Sequence, residues 1–212
     1  MELTFKKALI LAPHTDDGEF GCGATISRLL SKGCQVKYVA FSDCKASVPE
    51  GFSKDILRHE LASAASILGI NKDDVSILDY QVRYFTRDRQ AILEDMVRLK
   101  RSYQPDIVFT PSRQDIHQDH QTITNEAMRA FKTTTLLGYE LPWNNLSLPS
   151  DVLISISEDQ LKRKVEAIQA YKSQSKRVYS DEDYIRALAK TRGARVGLPL
   201  AEAFDGIRWI IR

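Results

Sequence analysis

The sequence of 212 residues lacks several features that mark specialised classes of protein. Its cysteines are odd in number and have no Cys-x-x-Cys spacing, which argues against a disulfide framework and against a thiolate zinc site. We therefore expect free, mostly buried thiols at Cys22, Cys34 and Cys44. No apolar run approaches the roughly 20 residues that span a bilayer. Residues 1–7 contain no signal-peptide core, so the expected location is the cytoplasm.

An excess of charge of one sign is also missing. The chain has 30 basic and 28 acidic residues, and the net charge of +2 is too small to indicate nucleic acid or an acidic membrane surface as a partner. With 43% hydrophobic and 27% charged residues, the composition is typical of a globular protein. No repeat, low-complexity tract or linker divides the chain, so we expect one domain, 1–212. Self-association into a homo-oligomer is compatible with this composition.

Apolar runs of strand length alternate with amphipathic stretches of helix length. The predicted strands are 8–12, 35–42, 75–78, 106–110, 136–140, 152–156 and 207–211, with a further apolar segment at 201–204. The predicted helices are 23–32, 54–68, 89–103, 121–132, 157–171 and 181–192. Such alternation is typical of βαβ units. It predicts an α/β domain with a Rossmann-like, doubly wound and mostly parallel sheet flanked by helices in a three-layer αβα arrangement.

The first strand ends abruptly at polar groups, in the sequence Pro13-His14-Thr15-Asp16-Asp17. Parallel α/β proteins bind ligands beyond the carboxyl ends of their strands. Because His14 and Asp17 are three residues apart, one turn of chain can direct both side chains to a common point. An imidazole with a carboxylate suits zinc or a similar divalent metal. The alternative is that Asp16 or Asp17 only caps the following helix.

A second predicted strand, 106–110, also runs into titratable groups. The following loop contains His117, Asp119 and His120, so three of the four histidines in the chain follow two buried strands. Core packing does not explain this distribution, and we predict a metal site to which both loops contribute. The fourth histidine, His59, lies within a predicted helix, where a solvated or packed side chain is expected.

The two loops resemble motifs of the zinc-dependent de-N-acetylases of the PIG-L/LmbE type. In that family a strand is followed by His-Pro-Asp-Asp and a glycine-rich helix start, and later by His-Pro-Asp-His. The corresponding segments here are His14-Thr15-Asp16-Asp17 and His117-Gln118-Asp119-His120, in which threonine and glutamine replace the prolines. The resemblance continues almost to the end of the chain, at 58–61, 171–174, 192–193 and 201–204.

This resemblance implies a role for each motif residue. The implied metal ligands are His14, Asp17 and His120. The metal would be zinc, or another divalent ion such as iron, cobalt or manganese. Asp16 is implied as the general base, and His117 as the acid or oxyanion partner, with Asp119 holding the His117 ring. The implied reaction is hydrolysis of the acetamide of an N-acetylated amino sugar, which is a glycoside, a free sugar or a sugar nucleotide.

Three further residues are candidates for substrate contact. Arg58 resembles a family position close to the sugar, and the alternative is an exposed helical arginine. Trp143 follows a predicted strand, where it could stack on a sugar face or simply be packed. Arg192 either faces the site or braces the C-terminal segment.

Proteins of other classes would need features that the chain lacks. A dinucleotide- or S-adenosylmethionine-binding protein of the Rossmann type could use Asp43, which ends the second strand 20 residues after Gly23. However, Gly18, Gly21 and Gly23 stand in the wrong order for G-x-G-x-x-G. A metal-dependent phosphoesterase would need more carboxylates to bridge two metals. A non-catalytic binding protein would have no need of a base such as Asp16.

Overall fold

The computed structural model of the protein describes residues 5–147 and 151–210. Its strands are β1 (Lys7–Ala12), β2 (Gln35–Ala40), β3 (Val75–Ile77), β4 (Ile107–Pro111), β5 (Thr135–Tyr139), β6 (Val152–Ser155) and β7 (Ala201–Arg208). Its helices are α1 (Asp17–Ser31), α2 (Ile56–Leu68), α3 (Arg89–Tyr103), α4 (Gln118–Ala130), α5 (Glu158–Gln169) and α6 (Glu182–Ala194). Within these residues, no helix has the length and apolar character needed to cross a membrane.

The seven strands form one sheet in the order β3-β2-β1-β4-β5-β7-β6. The first five strands in this order are parallel, and β7 runs antiparallel to both β5 and β6. Strand β1 lies between β2 and β4. After β1 the chain adds β2 and β3 on one side of β1, and it then crosses to the other side to form β4 and β5. A crevice forms at such a reversal of strand order, and it is where open α/β sheets bind ligands. The loops that follow β1 and β4 therefore meet at one edge of the sheet.

The central strand β1 is buried on both faces, as expected for a continuous apolar run in a parallel sheet. Ala8, Ile10 and Ala12 face a core shared with α1, α2, α5 and α6. Leu9 and Leu11 face a second core shared with α3 and α4. The predicted mostly parallel sheet between two helical layers is confirmed. The three cysteines are buried and free, also as predicted.

Two helices begin earlier than predicted, and both early turns carry site residues. Helix α1 begins at Asp17 instead of residue 23, and α4 begins at Gln118 instead of residue 121. These turns are polar or glycine-rich, so they lack the apolar periodicity on which the prediction relied. A kink at Cys22, where φ is −148°, separates the first turn of α1 from the rest of the helix. The buried carboxylate of Glu202 accepts the backbone N–H of Thr25 at 2.6 Å beyond this kink.

The prediction for the C-terminal segment is wrong in one respect. An apolar segment at 201–204 and a separate strand at 207–211 were expected, whereas β7 is one strand from Ala201 to Arg208. Asp205 interrupts the apolar pattern in the middle of this strand. Its buried carboxylate pairs with the guanidinium of Arg113 at 2.6 and 2.9 Å, so the charge is neutralised inside the sheet. Ile211 lies outside the described residues.

Gly21 lies where α1 crosses the ring of Tyr139. A Cβ added at Gly21 would lie 2.2 Å from Cδ2 of Tyr139, whose buried hydroxyl donates to the carbonyl of Leu11. Gly21→Ala should therefore lower the free energy of unfolding by about 1–3 kcal/mol, the usual cost of overpacking, which exceeds the gain in helix propensity. Urea denaturation measures this difference. Gly206→Ala is the control, because its Cβ would meet no atom closer than 3.5 Å; equal losses in both variants would contradict the packing argument.

Candidate metal centre

The loops after β1 and β4 form one wall of a cavity of about 310 Å³. This volume lies at the lower end of the range for small-molecule sites, roughly 300–1,000 Å³. The predicted site residues that line the cavity are His14, Asp16, Asp17, His117, His120 and Trp143. The structure therefore brings together two loops that are a hundred residues apart in sequence.

Three ligand atoms from the two loops converge on one point. His14 Nδ1 lies 3.1 Å from Asp17 Oδ2 and 3.2 Å from His120 Nε2, and the third side of the triangle, from His120 Nε2 to Asp17 Oδ2, is 3.2 Å. A tetrahedral metal with ligands at about 2.0–2.1 Å separates those ligands by about 3.3 Å. The triangle therefore fits three corners of such a site and leaves a fourth position open towards the cavity.

The outer nitrogen of each imidazole is held by a carboxylate. His14 Nε2 donates to Asp119 Oδ2 at 3.1 Å, and His120 Nδ1 donates to Asp115 Oδ2 at 2.8 Å. When only these outer nitrogens carry protons, the lone pairs of the inner nitrogens face each other and Asp17. A cation bound between these three electron-pair donors would remove their mutual repulsion. Carboxylates that orient metal-binding histidines are the usual outer partners of such sites.

A second set of ligands also lies within reach of a metal. His14, His117 and His120 offer ring nitrogens within 4.8 Å of one another. In this set the ring centroid of His117 is 5.0 Å from that of His14 and 4.5 Å from that of His120. The triangle that includes Asp17 is tighter, and its atoms already have metal-like spacing. The geometry favours Asp17 over His117 as the third ligand.

The environments of the adjacent carboxylates Asp16 and Asp17 move their pKa values apart. Burial alone would raise the pKa of Asp17, but the neighbouring His120 and His14 hold it well below its usual range. Burial and the Asp17 carboxylate raise the pKa of Asp16, against the opposing charge of Arg177. A separation of this kind distinguishes a permanently ionised group from one that can exchange a proton. Asp16 is therefore the carboxylate that is suited to proton transfer.

His117 faces the cavity as a neutral ring. Burial, together with the neighbouring His120 and His14, lowers the pKa of His117 to about 4. Its Nδ1 accepts the backbone N–H of Asp119 at 3.2 Å and caps α4. The proton of the neutral ring therefore lies on Nε2, where it is available to a ligand oxygen. The capping contact explains why the loop ends in a helix at this residue.

The predicted role of Asp119 is corrected. Its carboxylate was expected to hold the ring of His117, but it bonds His14 instead and is fully buried. Its two oxygens also accept the backbone N–H groups of Arg83 at 2.6 Å and Phe85 at 3.3 Å. His117 is bonded instead by the backbone N–H of Asp119. The Asp119 carboxylate therefore fixes the tautomer and position of His14 rather than of His117.

Two tyrosines hold the backbone of the first loop. The carbonyl oxygen of Thr15 accepts hydrogen bonds from the hydroxyls of Tyr38 at 3.0 Å and Tyr171 at 2.7 Å. Both hydroxyls also contact the buried carboxylate of Glu19. The segment of Tyr171 is itself tied to α2, because Glu60 accepts the backbone N–H and hydroxyl of Ser173. These bonds replace the rigidity that a proline at position 15 would supply.

The three predicted substrate contacts have different outcomes. Trp143 lines the cavity and stacks on Tyr179, with ring centroids 3.8 Å apart and an interplanar angle of 10°. Arg58 does not line the cavity; it bonds Asp43 at 3.0 Å. Arg192 is buried in a bidentate pair with Glu140 at 2.9 and 2.7 Å. Arg192 therefore braces the C-terminal segment, which is the second of its two predicted roles, whereas a substrate contact by Arg58 stays a prediction.

The features that suggested a Rossmann-type nucleotide site have other partners. A Cβ at Gly18 would lie 2.4 Å from the ring of Tyr38, and Gly21 contacts Tyr139 in the same way. The absence of a side chain at these glycines allows aromatic rings, and not a pyrophosphate, to pack against the backbone of α1. Asp43, the candidate ribose-binding acid, pairs with Arg58. Each of these features serves packing or ion pairing within the protein.

The sequence did not reveal two residues of the site. Asp115 precedes His120 by five residues and orients it, and its other oxygen accepts the backbone N–H of His117 at 2.8 Å. Arg177 Nη1 lies 3.2 Å from Asp16 Oδ2 and comes from an irregular segment near the C-terminus. The need of a metal-binding histidine for a carboxylate partner could have indicated Asp115. No local pattern marks Arg177.

Sequence comparisons relate this chain to known deacetylases. The profile of the family described as "PIG-L: GlcNAc-PI de-N-acetylase" matches residues 9–131. The Escherichia coli K12 protein named uncharacterized deacetylase YaiS is 31% identical over 173 residues, which are 79% of this chain and 91% of that protein. The diacetylchitobiose deacetylase of Thermococcus kodakarensis is 30% identical over 127 residues, which are 55% of this chain and 45% of that enzyme.

Solved structures with different reactions share the fold. The N,N'-diacetylchitobiose deacetylase of Pyrococcus horikoshii superposes with a TM-score of 0.78 at 24% identity, over 95% of this chain and 83% of that one. The 4-carboxy-2-hydroxymuconate hydratase of Pseudomonas putida superposes with a TM-score of 0.79 at 20% identity, over 98% of each chain. At these identities the superpositions establish the architecture, and the reaction has to be argued from the site.

Proposed function

This chain belongs to the PIG-L family of de-N-acetylases, and we propose that it is a metal-dependent hydrolase that removes the acetyl group from an N-acetylated amino sugar. The observation that carries the proposal is the convergence of His14 Nδ1, Asp17 Oδ2 and His120 Nε2 within 3.1–3.2 Å of one another. Asp16 and His117 line the same cavity, beside these three atoms. A metal-binding group next to a base and a hydrogen-bond donor suits amide hydrolysis.

The metal that we propose is zinc, held by His14, Asp17 and His120. Two imidazoles and one carboxylate are a common zinc set in catalytic sites, where three protein ligands leave one position open. Iron, cobalt and manganese bind to the same types of ligand. Which metal the protein binds therefore depends also on the availability of each ion. When bound, a divalent ion of this kind polarises a carbonyl and makes water more acidic.

We assign the proton transfers to the side chains of the cavity. Asp16 accepts the proton of the attacking water, and its raised pKa suits the later return of that proton to the leaving amine. The Nε2–H of His117 donates a hydrogen bond to the acetamide oxygen as negative charge grows there. Arg177 lies 3.2 Å from Asp16 and limits the directions in which this carboxylate can move.

The proposed substrates are glycosides, free sugars or sugar nucleotides that contain N-acetylglucosamine. The family description and the name of the Thermococcus kodakarensis relative both refer to N-acetylated sugars, which supports this choice. In the cavity wall, Trp143 and Tyr179 form a stacked aromatic pair. Apolar faces of sugar rings pack against aromatic side chains of this kind. The cavity volume of about 310 Å³ lies within the range of small-molecule sites.

A screen for released acetate tests the proposal. Purified protein, loaded with zinc, is incubated with N-acetylglucosamine, N,N'-diacetylchitobiose and UDP-N-acetylglucosamine, and acetate and free amine are measured together. Equal amounts of both products are expected from at least one compound. Because a hydratase shares the fold, conjugated hydroxy-diene acids are included as a second set. Hydration of that set, without acetate from any amide, would contradict the deacetylase proposal.

His117→Ala tests both the role of His117 and the choice of metal ligands. With Asp17 as the third ligand, this variant should keep its metal but lose about 10²–10³ in kcat, the usual cost of one oxyanion donor. Metal content is measured by elemental analysis beside steady-state kinetics. Asp17→Asn is the matched comparison, in which metal content should fall. If His117→Ala loses the metal while Asp17→Asn keeps it, the three-histidine set is the correct one.

A further inference from the structure

Gln174 is a buried glutamine in the wall of the metal-site cavity, and it takes no part in the proposed proton transfers. It ends the short 3₁₀ turn Lys172–Gln174 between α5 and α6, within the segment 171–174 that resembles the family. Only 8% of its surface is exposed, and it lines the cavity together with Asp16 and Arg177. A polar side chain in such a place normally has a hydrogen-bond partner.

The carboxamide of Gln174 has no such partner among residues 5–147 and 151–210. The hydrogen bonds of this residue are made by its backbone, which accepts the N–H of Arg177 at 3.1 Å and donates to the carbonyl of Tyr171 at 3.0 Å. Neither amide atom is closed off from solvent, in contrast to Nδ2 of Asn145, which is buried without a partner. Because Gln174 itself is buried against the cavity, we place its free amide atoms at the cavity surface.

The turn that carries Gln174 is anchored at two points. The hydroxyl of Tyr171 donates to the carbonyl of Thr15, at 2.7 Å, in the first loop of the site. Ser173 donates its backbone N–H at 2.9 Å and its hydroxyl at 2.6 Å to the carboxylate of Glu60 on α2. A free amide on an anchored turn is preorganised for binding, because a ligand that bonds it does not have to order the backbone first.

We propose that Gln174 is a specificity-determining residue whose carboxamide binds a hydroxyl group of the amino sugar, on a carbon next to the one that carries the acetamide. This inference rests on the proposed function and selects sugars over other acetamides. An uncharged amide with two N–H donors and one oxygen acceptor matches a hydroxyl, which also donates and accepts. Three residues further along the chain, Arg177 pairs with Asp16, to which we assign the return of a proton to the leaving amine. Gln174 therefore lies on the amine side of the cavity, where the nearest hydroxyls are those on C1 and C3 of the sugar.

Calorimetry with three amines tests this contact without any turnover. The zinc-loaded protein is titrated with glucosamine and with its 1-deoxy and 3-deoxy forms, each of which lacks one of the two hydroxyls. One deoxy form should bind the wild type about 5–100-fold more weakly than glucosamine does, because a buried amide is then left unpaired. In Gln174→Met, glucosamine should bind more weakly by a similar factor, and removal of the hydroxyl should change binding less than about twofold.

Methionine is the preferred substitution because it keeps the length and packing of glutamine but has no N–H donor and no carbonyl. Gln174→Ala, which also removes the amide, should give the same result. Gln169→Met is the matched control, since Gln169 is an exposed glutamine at the end of α5 that is not part of the cavity wall. Thermal unfolding checks that each variant is folded. Wild-type binding of glucosamine by Gln174→Met, an unchanged penalty for the deoxy form, or the same weakening in Gln169→Met would overturn the inference.

Turnover measurements distinguish a failure of this inference from a failure of the proposed function. If no N-acetylated sugar releases acetate but the effect of the hydroxyl on binding is lost in Gln174→Met, the hydroxyl contact stands and the deacetylase proposal fails. If N-acetylglucosamine is hydrolysed and Gln174→Met keeps the wild-type kcat/KM for it and for both of its deoxy forms, the hydroxyl contact is refuted and the deacetylase proposal stands.

Discussion

His120→Ala is expected to remove the metal and the deacetylase activity together. The ring of His120 contributes Nε2 at 3.2 Å from both His14 Nδ1 and Asp17 Oδ2, so its loss opens one corner of the triangle. The remaining two donors cannot complete a three-ligand site. Removal of a residue that orients a metal ligand lowers metal affinity by about 10–100-fold. The loss of metal affinity in His120→Ala should be larger than this. Elemental analysis and acetate release, measured on the same preparation, check the result.

The chain supplies a matched control for this variant in His59. This histidine is exposed on α2 and pairs with Asp55 at 3.3 Å, so His59→Ala should keep full metal content and activity. Because His120 is buried, Asp115→Asn is a second variant that retains the imidazole. It should weaken metal binding by about 10–100-fold through loss of the Asp115 carboxylate that orients the ring. Wild-type metal content and turnover in His120→Ala would rule out His120 as a ligand.

Asp16→Asn is expected to leave the metal in place and to lower kcat by about 10²–10⁴, the usual contribution of a general base. Asparagine has nearly the shape of aspartate, and its amide oxygen can keep the contact with Arg177. What it loses is the capacity to take a proton from water. A single-turnover experiment with metal-loaded protein shows whether the chemical step has slowed.

The outcome of Asp16→Asn is independent of the choice between the two ligand sets, since neither includes Asp16. Turnover near the wild-type value, with full metal content, would exclude Asp16 as the base. A variant that loses the metal as well would instead indicate that Asp16 is itself a ligand. Circular dichroism controls for folding, because Asp16 is buried.

The sequence contained enough information to predict the sheet and the position of the site. The uninterrupted apolar run of β1 indicated a strand buried on both faces, and both histidine loops follow neighbouring parallel strands. Where the apolar pattern was interrupted, the prediction failed. Asp205 divided β7 into two predicted pieces because its partner, Arg113, is 92 residues away. A charge that is neutralised by a distant residue cannot be recognised locally.

The same limit applies to the functional side chains. His14, Asp17, His117 and His120 were predicted, because three of the four histidines follow two buried strands and both loops resemble motifs of one family. The carboxylate partner of each ring was not predicted, since Asp115 and Asp119 are both two residues from His117 in sequence. The direction of each carboxylate depends on the backbone conformation at the start of α4. In the structure, the Asp119 carboxylate bonds His14 of the first loop. Arg192 could not be distinguished from a binding residue without knowledge of Glu140, the carboxylate with which it pairs.

The hydrogen bond from Tyr171 to Thr15 joins residues 156 positions apart, and this has a consequence for the order of events during synthesis. Translation proceeds from the N-terminus, so both histidine loops emerge well before Tyr171 does. A growing chain that ends before that residue contains all the proposed metal ligands but only the Tyr38 half of the clamp. We expect secure metal capture to wait until Tyr171 has left the ribosome.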